Sequence, residues 1–227
     1  MTIVMRPTHK AETRQRILDA ASPLFRGHGV DAVGVDAVMR AAGLTHGGFY
    51  AHFPSKEALV AEVCATSLAR AASRWERISQ GEGRMTDQAP APDEGNPAAL
   101  AQIVESYLDP TRLDAIEHGC VLSALGPEVA RRPAVRPGLA DSLGRMLGAL
   151  ERCLPRGLPD QRRRERALAA LSTMVGAVVL ARLSSDQRMA TSFLMAAKEA
   201  VLSDADATPK TRTRLPAHTP LARHRET

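Results

Sequence analysis

Apolar residues near the N-terminus recur at the spacing of one helix face. The pattern begins near Lys10 and ends at the glycine-containing residues 27–29. Pro23 lies inside it, where it removes the backbone hydrogen bond to the Asp19 carbonyl and should bend the last turn. The sequence therefore predicts a first helix whose buried face consists of Ile17, Leu18, Ala21, Leu24 and Phe25.

Two shorter helices are predicted next, separated by a glycine. The first spans residues 35–42, with Val38, Met39 and Ala42 turned inward. Gly43 ends it, and Thr45 can cap a third helix over residues 46–53. That helix stops before Pro54, because proline disfavours helix in the residue that precedes it. A helix, a short helix, a glycine-containing turn and another short helix form a tri-helical helix-turn-helix.

The rest of the chain predicts further helices and no strand. Ser55 caps a long fourth helix through about residue 78, and residues 81–97, rich in glycine, proline and charge, predict a mobile loop. The segment LGPEVARRPAVRPG is predicted to be irregular. Later helices are expected at residues 98–108, 111–118, 139–154, 160–183 and 186–203. The fold class is therefore all-α, with about nine helices.

Four units follow from this organisation. Residues 1–9 are expected to be a flexible arm, and residues 10–54 to be the helix-turn-helix domain. Residues 55–203 form a larger helical domain. Residues 204–227 are polar and basic and are predicted to be disordered.

Composition narrows the class of protein. The 227-residue chain carries a formal net charge of +5, which suits a polyanionic partner. Its three cysteines are widely spaced and match neither a disulfide framework nor a zinc site. The most apolar stretch, residues 167–183, falls just short of the roughly 18 residues of a membrane span and contains Arg182. With no secretory signal in the sequence, we expect a cytoplasmic protein with no membrane partner, no metal and no cofactor.

Two segments between Thr13 and Val60 carry a family resemblance. TRQRILDAASPLF and GVDAVGVDAVMRAAGLTHGGFYAHFPSKEALV resemble the DNA-binding segment of the TetR/AcrR family of transcriptional regulators. The resemblance lies in the small-residue and glycine turn, in Gly-x-Phe-Tyr and in Phe-x-Ser-Lys. It implies a sequence-specific DNA-binding regulator. Because repression is the commoner mode in the family, a repressor is expected. Such a protein binds a pseudo-palindromic operator as a homodimer and is released by a small-molecule effector.

The resemblance also implies which residues contact DNA. Positions of the family's recognition helix, together with a phosphate-contacting lysine, correspond to Thr45, His46, Gly47, Gly48, Tyr50, His52 and Lys56. Phe49 and Phe53, four residues apart, are expected in the small core, and a structural role is the alternative for His52. Because the two glycines present no side chain and His46 replaces a frequent lysine, DNA shape and phosphate contacts are expected to carry much of the specificity.

The larger domain is implied to dimerise and to bind the effector. Family members pair through their last two long helices, and the implied interface residues are Leu168, Leu171, Val175, Val178, Val179, Met189, Phe193, Ala196, Ala197 and Ala200. Either apolar row can instead be core of a single chain.

The family's effector binds between helix four and the helices that follow it, where it favours a dimer whose heads no longer match the groove spacing. Candidate pocket residues are Trp75, Tyr107, His118, Cys120, Met146 and Met174, with core packing as the alternative for each. Few aromatic and many small aliphatic residues predict an apolar effector of modest size.

Cys120 supports a second hypothesis. A thiol near His118 or near a helix N-terminus can react with oxidants and electrophiles, so DNA release can depend on Cys120; a small buried thiol is the alternative. An enzyme that uses His118 and Cys120 as base and nucleophile is a remote alternative. No orienting third group and no hydrolase, metalloprotease or nucleotide-binding motif accompanies them, so we expect no enzyme.

Overall fold

A computed structural model describes residues 9–81 and 95–206, with side chains described as far as residue 203. Within these residues the fold is all-α, as predicted, with eight α-helices, four short 3₁₀ helices and no strand. The α-helices are α1 (His9–His28), α2 (Val35–Ala41), α3 (Lys56–Ser79), α4 (Pro97–Tyr107), α5 (Val121–Ala130), α6 (Ala140–Cys153), α7 (Asp160–Leu183) and α8 (Gln187–Asp206). The predicted arm before His9, the predicted loop between residues 82 and 94, and the predicted tail beyond residue 206 lie outside the described residues.

The small N-terminal core forms around two stacked rings. Phe49 and Phe53 are completely buried, and their ring centroids lie 5.8 Å apart with an interplanar angle of 26°. The Arg14 guanidinium lies 4.3 Å from the Phe53 ring centroid and covers its face. The predicted burial of both rings is confirmed, and α1 contributes Ile17, Leu18, Ala21 and Phe25 to the same core. Leu24, the fifth predicted position, is half-buried at its edge.

The long helix α3 begins directly after the predicted N-terminal domain, packs against α1 and runs through the larger domain. The Ser55 hydroxyl accepts a hydrogen bond from the Ala58 N–H at 3.1 Å, which confirms the predicted cap. Further along, α3 packs against α6, where Arg145 donates to the Glu76 carboxylate at 2.6 Å and to the Ser73 hydroxyl at 2.7 Å. One continuous helix therefore connects the two predicted domains.

The end of α5 fastens the loop between α1 and α2 to the larger domain. The Glu128 carboxylate accepts a hydrogen bond from the Val30 N–H at 2.8 Å. Arg132, just after α5, donates to the carboxylate of Glu57 at 2.8 Å and also pairs with Asp31. We call Asp31, Glu57, Glu128 and Arg132 the latch. Because their partners lie on both sides of the domain boundary, the latch fixes the N-terminal domain against α5.

The helices α7 and α8 pack against each other along their length. Among the described residues α7 is the one helix that, by length and composition alone, is apolar enough to cross a membrane. It also packs against α5 and α6 and contributes six buried residues, which is the environment of a core helix.

Two predicted helices take a different form. The third predicted helix is a short 3₁₀ helix, His46–Ala51, since adjacent glycines cost about 1 kcal/mol each in an α-helix. The helix predicted over residues 111–118 is wrong: two 3₁₀ helices, Pro110–Arg112 and Ile116–His118, replace it. Asp109 caps the first of them, accepting hydrogen bonds from the Thr111 N–H and hydroxyl at 2.9 and 2.7 Å. These local bonds compete with a continuous helix.

Helix α5 was not predicted from the sequence. It covers residues 125–130, six of the fourteen residues of the segment predicted to be irregular, and contains Pro127 in its interior. Proline removes one backbone hydrogen bond, but burial of Val121, Leu125 and Val129 on one face of α5 favours the helix. At the other end of the chain α8 continues to Asp206, three residues into the predicted tail.

Candidate functional site

The turn after α2 sets the direction of the 3₁₀ helix His46–Ala51. Gly43 has a φ of +67°, in the left-handed region that other residues rarely adopt. Its N–H and that of Leu44 donate to carbonyls in the last turn of α2, at 3.0 and 2.9 Å, as in a Schellman-type helix end. Arg16 of α1 donates to the Ala42 carbonyl at 2.7 Å and holds the same turn. The start of the 3₁₀ helix is therefore fixed by both preceding helices.

The predicted DNA-contact residues lie in this segment or just after it and differ in exposure. Thr45, His46, Gly47 and Tyr50 are exposed, whereas Gly48, His52 and Lys56 are half-buried. Tyr50, one of two tyrosines in the chain, keeps 63% of its surface exposed. A Cβ atom added at Gly47 would meet no atom within 4 Å. The exposed part of this segment thus presents bare backbone at Gly47 together with the side chains of Thr45, His46 and Tyr50.

Neighbouring residues position the exposed rings. The Tyr50 ring packs edge-on against buried Phe49, with centroids 5.2 Å apart. The His46 Nδ1 atom hydrogen-bonds the carboxylate of Asp36 on α2. Sequence reasoning did not find Asp36 as a partner of His46, because the pair joins residues ten positions apart across a turn. Both rings are oriented by contacts within the protein.

The N-terminus of α3 adds a cation beside unpaired backbone donors. Lys56 is the first residue of α3, and within the described part of the chain its amino group pairs with no carboxylate. Anions bind readily at such helix N-termini, where N–H groups and the helix dipole favour negative charge. The buried Nδ1 atom of His52, close by in sequence, also has no hydrogen-bond partner among the described residues. The Lys56 amino group is therefore available to a ligand at this edge, whereas the buried Nδ1 atom of His52 is not.

A cavity of about 290 Å³ lies in the larger domain. It is lined by residues from α1, α3, α4, α5, α6, α7 and α8 together with the turns between residues 109 and 120. Five of the six predicted pocket residues line it: Trp75, Tyr107, His118, Cys120 and Met146. Met174, the sixth, is completely buried and does not reach this lining, because its position on α7 faces the core.

The three cysteines differ in environment. Cys64 and Cys153 are buried, and burial, the largest cause, raises the pKa of their thiols to about 11 and about 12. Cys120 is half-buried, lines the cavity and caps the N-terminus of α5. Cys64 and Cys153 are therefore almost fully protonated near neutral pH, and Cys120 is the cysteine that a small molecule can reach.

Arginines, rather than aliphatic side chains, distinguish the cavity. The lining includes Arg26, Arg70, Arg74, Arg112 and Arg182. Arg26 and Arg182 lie deepest, and desolvation by burial, the largest cause, lowers the pKa of both guanidinium groups. The apolar effector predicted from composition does not suit this lining. Sequence reasoning missed both residues, although Arg182 interrupts the most apolar stretch of the chain and was the one available signal.

Five large apolar side chains of α7 and α8 are exposed, and we call this set the outer face. Its members are Leu168, Leu180, Leu183, Met189 and Met195, each at least 46% exposed. Three predicted interface residues, Leu171, Val178 and Ala197, instead face the interior of their own chain. Val178 also lines the cavity. Helical geometry explains the difference, because the apolar rows read from sequence run over two faces of α7 and only one of them points outward.

Known proteins share the N-terminal sequence of this chain. The sequence profile of bacterial regulatory proteins of the tetR family matches residues 17–63. The HTH-type transcriptional regulator AcrR of Shigella flexneri is 28% identical over 152 residues, which cover 63% of this chain and 65% of AcrR. The HTH-type transcriptional regulator SrpR of Pseudomonas putida is 44% identical over 55 residues, 24% of this chain and 26% of SrpR. The chain thus spans less than two thirds of the length of either relative.

Solved structures share the whole helical fold. A TetR transcriptional regulator from Legionella pneumophila has a TM-score of 0.68 at 18% identity and covers 88% of this chain and 98% of its own. The reduced form of E. coli NemR has a TM-score of 0.67 at 19% identity and covers 84% of this chain and 95% of its own. At these identities the likeness establishes the fold.

Proposed function

The chain belongs to the TetR family of bacterial regulatory proteins, and from that premise we propose that it is a transcriptional repressor that binds a pseudo-palindromic operator as a homodimer and leaves it when a small-molecule effector binds. The chain is a helix-turn-helix regulator and not an enzyme, which removes the His118/Cys120 enzyme alternative. The observation that carries the proposal is the bare edge at Thr45–Tyr50, mounted on the buried rings of Phe49 and Phe53.

DNA contact at this edge follows from its chemistry. Gly47 lets backbone approach DNA closely, since no side chain stands between them. Tyr50 and Lys56 offer a hydroxyl donor and a cation to phosphate oxygens, the contacts that fix register on a duplex. Thr45 and His46 are the side chains available for base edges. His52 is half-buried, and the proposal assigns a third phosphate or base contact to the exposed part of its ring, not to the buried Nδ1 atom.

Dimerisation is assigned to the outer face of α7 and α8. A single recognition element covers few base pairs, and a two-fold dimer places two of them in successive major grooves. The outer face supplies five large apolar side chains that would otherwise stay in water, and Ala196, Ala200 and Ser192 beside them permit close approach. The proposed interface keeps Leu168, Val175, Val179, Met189, Phe193, Ala196 and Ala200 from the sequence prediction and adds Leu180, Leu183 and Met195.

Effector binding is assigned to the 290 Å³ cavity, near the lower limit for small-molecule sites. Its lining includes Ser22 and Arg26 of α1, so a ligand there contacts the DNA-binding domain itself. A ligand shifts an equilibrium only as far as it prefers one conformation. We expect the effector to prefer the position of α1 that does not fit the operator.

A gel-shift titration with DNA from upstream of the gene tests the DNA contacts. Replacing Tyr50 and Lys56 together by alanine removes two phosphate contacts from each protomer and should weaken binding at least tenfold. Loss of Lys56 from both protomers should also reduce the slope of log K against log salt by about 2. Arg77→Ala, an exposed residue near the far end of α3, is the charge-matched control and should bind normally. Normal binding by a folded Tyr50→Ala, Lys56→Ala protein contradicts the assignment.

A second candidate function, release from DNA by oxidants or electrophiles, rests on the environment of Cys120. It is half-buried in the cavity, whereas the other two thiols are buried with raised pKa values. A quinone or hypochlorite should modify Cys120 first, release the protein from DNA and leave a Cys120→Ser variant bound. Release of both proteins to the same extent, measured by gel shift after treatment, would show that Cys120 is no sensor.

A further inference from the structure

We propose that the effector is a small organic acid whose anionic group binds between Arg26 and Arg182. The proposal rests on the proposed function, because it assigns a ligand class to the effector cavity of a DNA-binding regulator. It reverses the expectation of an apolar effector.

Neither deep arginine has a carboxylate partner in the described part of the chain. Arg26 donates from Nε to the Glu117 carbonyl at 2.6 Å. Arg182 donates from Nε to the Leu113 carbonyl at 3.2 Å and from Nη1 to the Ser123 hydroxyl at 3.3 Å. Neutral acceptors orient a guanidinium without cancelling its charge. Both guanidinium groups are half-buried, where an unpaired charge is less well solvated than in water, so two cations without a carboxylate partner on one cavity suit an anion that binds there.

Acidic residues near the cavity are occupied elsewhere. Asp109, the single acidic residue of the described lining, accepts both hydrogen bonds of Thr111. Asp19 pairs with Arg70 at the rim, 3.3 Å away. The Glu117 side chain is 44% exposed and lies 3.9 Å from His118. The cavity therefore keeps a net positive charge after its own ion pairs are formed.

Tyr107 provides an independent sign of a missing polar ligand. Its hydroxyl oxygen is buried beside the Cys120 thiol and the Ser123 hydroxyl and makes no hydrogen bond of good geometry among the described residues, and Tyr107 lines the cavity. Burial, the largest cause, and the nearby Cys120 raise the pKa of this hydroxyl well above its ordinary value, so Tyr107 is a neutral donor. An acid oxygen held by the arginines would accept this hydrogen bond as well.

Apolar residues of the same cavity suit the organic part of such a ligand. Trp75 packs edge-on against Tyr107, with ring centroids 5.8 Å apart. Leu68, Met146, Val178 and Leu194 complete this side of the lining. A volume of about 290 Å³ leaves room for a short aliphatic or single-ring acid and excludes a long acyl chain.

The two arginines contact one short segment, which gives the anion a route to the DNA-binding domain. Arg26 lies on α1 and holds the Glu117 carbonyl, while the Arg182 guanidinium from α7 packs against Gly119. A Cβ atom at Gly119 would lie 2.6 Å from Arg182 Nη2, so this approach requires glycine. An anion that draws both guanidinium groups together moves α1 relative to α7.

Thermal unfolding of the full-length dimer tests the proposal with matched probes. The set pairs butyrate, hexanoate and benzoate with butyramide, hexanamide and benzamide at constant ionic strength, and includes inorganic phosphate to detect a site that takes any anion. At least one organic acid should raise the Tm of the wild-type protein concentration-dependently, and its amide should not. Arg26→Gln and Arg182→Gln should each weaken that acid at least tenfold, the loss expected for a charge-assisted contact. Arg77→Gln, which removes the same charge outside the cavity, should leave it unchanged.

Each remaining outcome has a defined meaning. Arg182→Lys keeps the charge, so partial recovery of binding relative to Arg182→Gln separates charge recognition from a folding defect. The inference is overturned if no acid stabilises the protein more than its amide, if phosphate alone does so, or if Arg77→Gln loses as much affinity as the cavity variants. DNA binding is titrated without any probe. Normal DNA binding with no acid effect rejects the ligand class alone, whereas acid binding without DNA binding rejects the proposed function.

Discussion

A pair of Gly→Ala substitutions on either side of Thr45 separates the stability of the fold from DNA contact. At Gly43, with φ of +67°, alanine occupies the left-handed region at a cost of about 1–2 kcal/mol. Its Cβ would also lie 3.2 Å from Arg16 Nη2, which must yield although it donates to the Ala42 carbonyl. At Gly47 the backbone is not left-handed and a Cβ meets nothing within 4 Å. Alanine there stabilises by about 0.4–1 kcal/mol, because it reduces the freedom of the unfolded chain.

These magnitudes predict opposite shifts in the melting temperature. At roughly 2–4 °C per kcal/mol for a chain of this size, Gly43→Ala should lower Tm by about 2–8 °C. Gly47→Ala should raise it by about 1–4 °C. Circular dichroism or calorimetry at fixed protein concentration measures both shifts, since dimerisation makes Tm depend on concentration.

DNA binding should rank the two variants in the other order. The methyl group of an alanine at position 47 would lie where the backbone approaches DNA in the proposed interface. Gly47→Ala should therefore bind the operator at least tenfold more weakly despite its greater stability. Gly43→Ala, measured well below its Tm, should lose less affinity. A less stable Gly47→Ala protein would refute the open space at that position, and a stable variant with normal affinity would refute its place in the DNA interface.

Three further predictions concern packing and charge. Phe53→Ala should destabilise the protein by about 3–5 kcal/mol and abolish DNA binding, because the ring is completely buried beneath the recognition segment; chemical denaturation measures the loss, and a cost below 1 kcal/mol contradicts the packing. Leu180→Glu on the outer face should convert the proposed dimer into a monomer on analytical ultracentrifugation, whereas an unchanged dimer would show that the interface lies elsewhere. The hydrogen bond from Arg145 lowers the pKa of Glu76, so this pair stabilises the fold above the ordinary carboxyl pKa of about 4.3 and loses its effect as pH falls through the lower native value. Tm measured from pH 6 to pH 3 should fall less for Glu76→Gln than for the wild type, and parallel curves would exclude the contribution.

The N-terminal domain could be predicted from sequence because its signals are local. Glycine at residue 43, serine at 55 and two phenylalanines four residues apart each act within one or two turns of chain. The cap of α3 and the burial of both rings followed directly. The pairing of His46 with Asp36 did not, since it depends on how two short helices cross.

The larger domain was harder to predict because its decisive contacts join distant residues. The cavity brings Arg26 and Arg182 to the same segment although 156 positions separate them. The helix expected over residues 111–118 failed for a local reason, the capping by Asp109 of a shorter turn. On α7, periodicity identified an apolar helix but left open which side faces out, because Leu171 and Leu180 are equally apolar and only packing buries the first.

The latch limits how this regulator can be re-engineered by exchanging its N-terminal DNA-binding segment, the head, while the larger domain, the body, is kept. A head exchange that extends through the first turn of α3 would replace Asp31 and Glu57, whereas Glu128 and Arg132 remain with the body. A foreign head without matching acids would leave Arg132 unpaired and Glu128 facing an unrelated loop. Such a chimera should bind the operator of its donor yet respond weakly to the effector. Transplanting Asp31 and Glu57 with the new head should restore the response. The two acids would then have to be chosen to match the larger domain, although they lie in the exchanged segment.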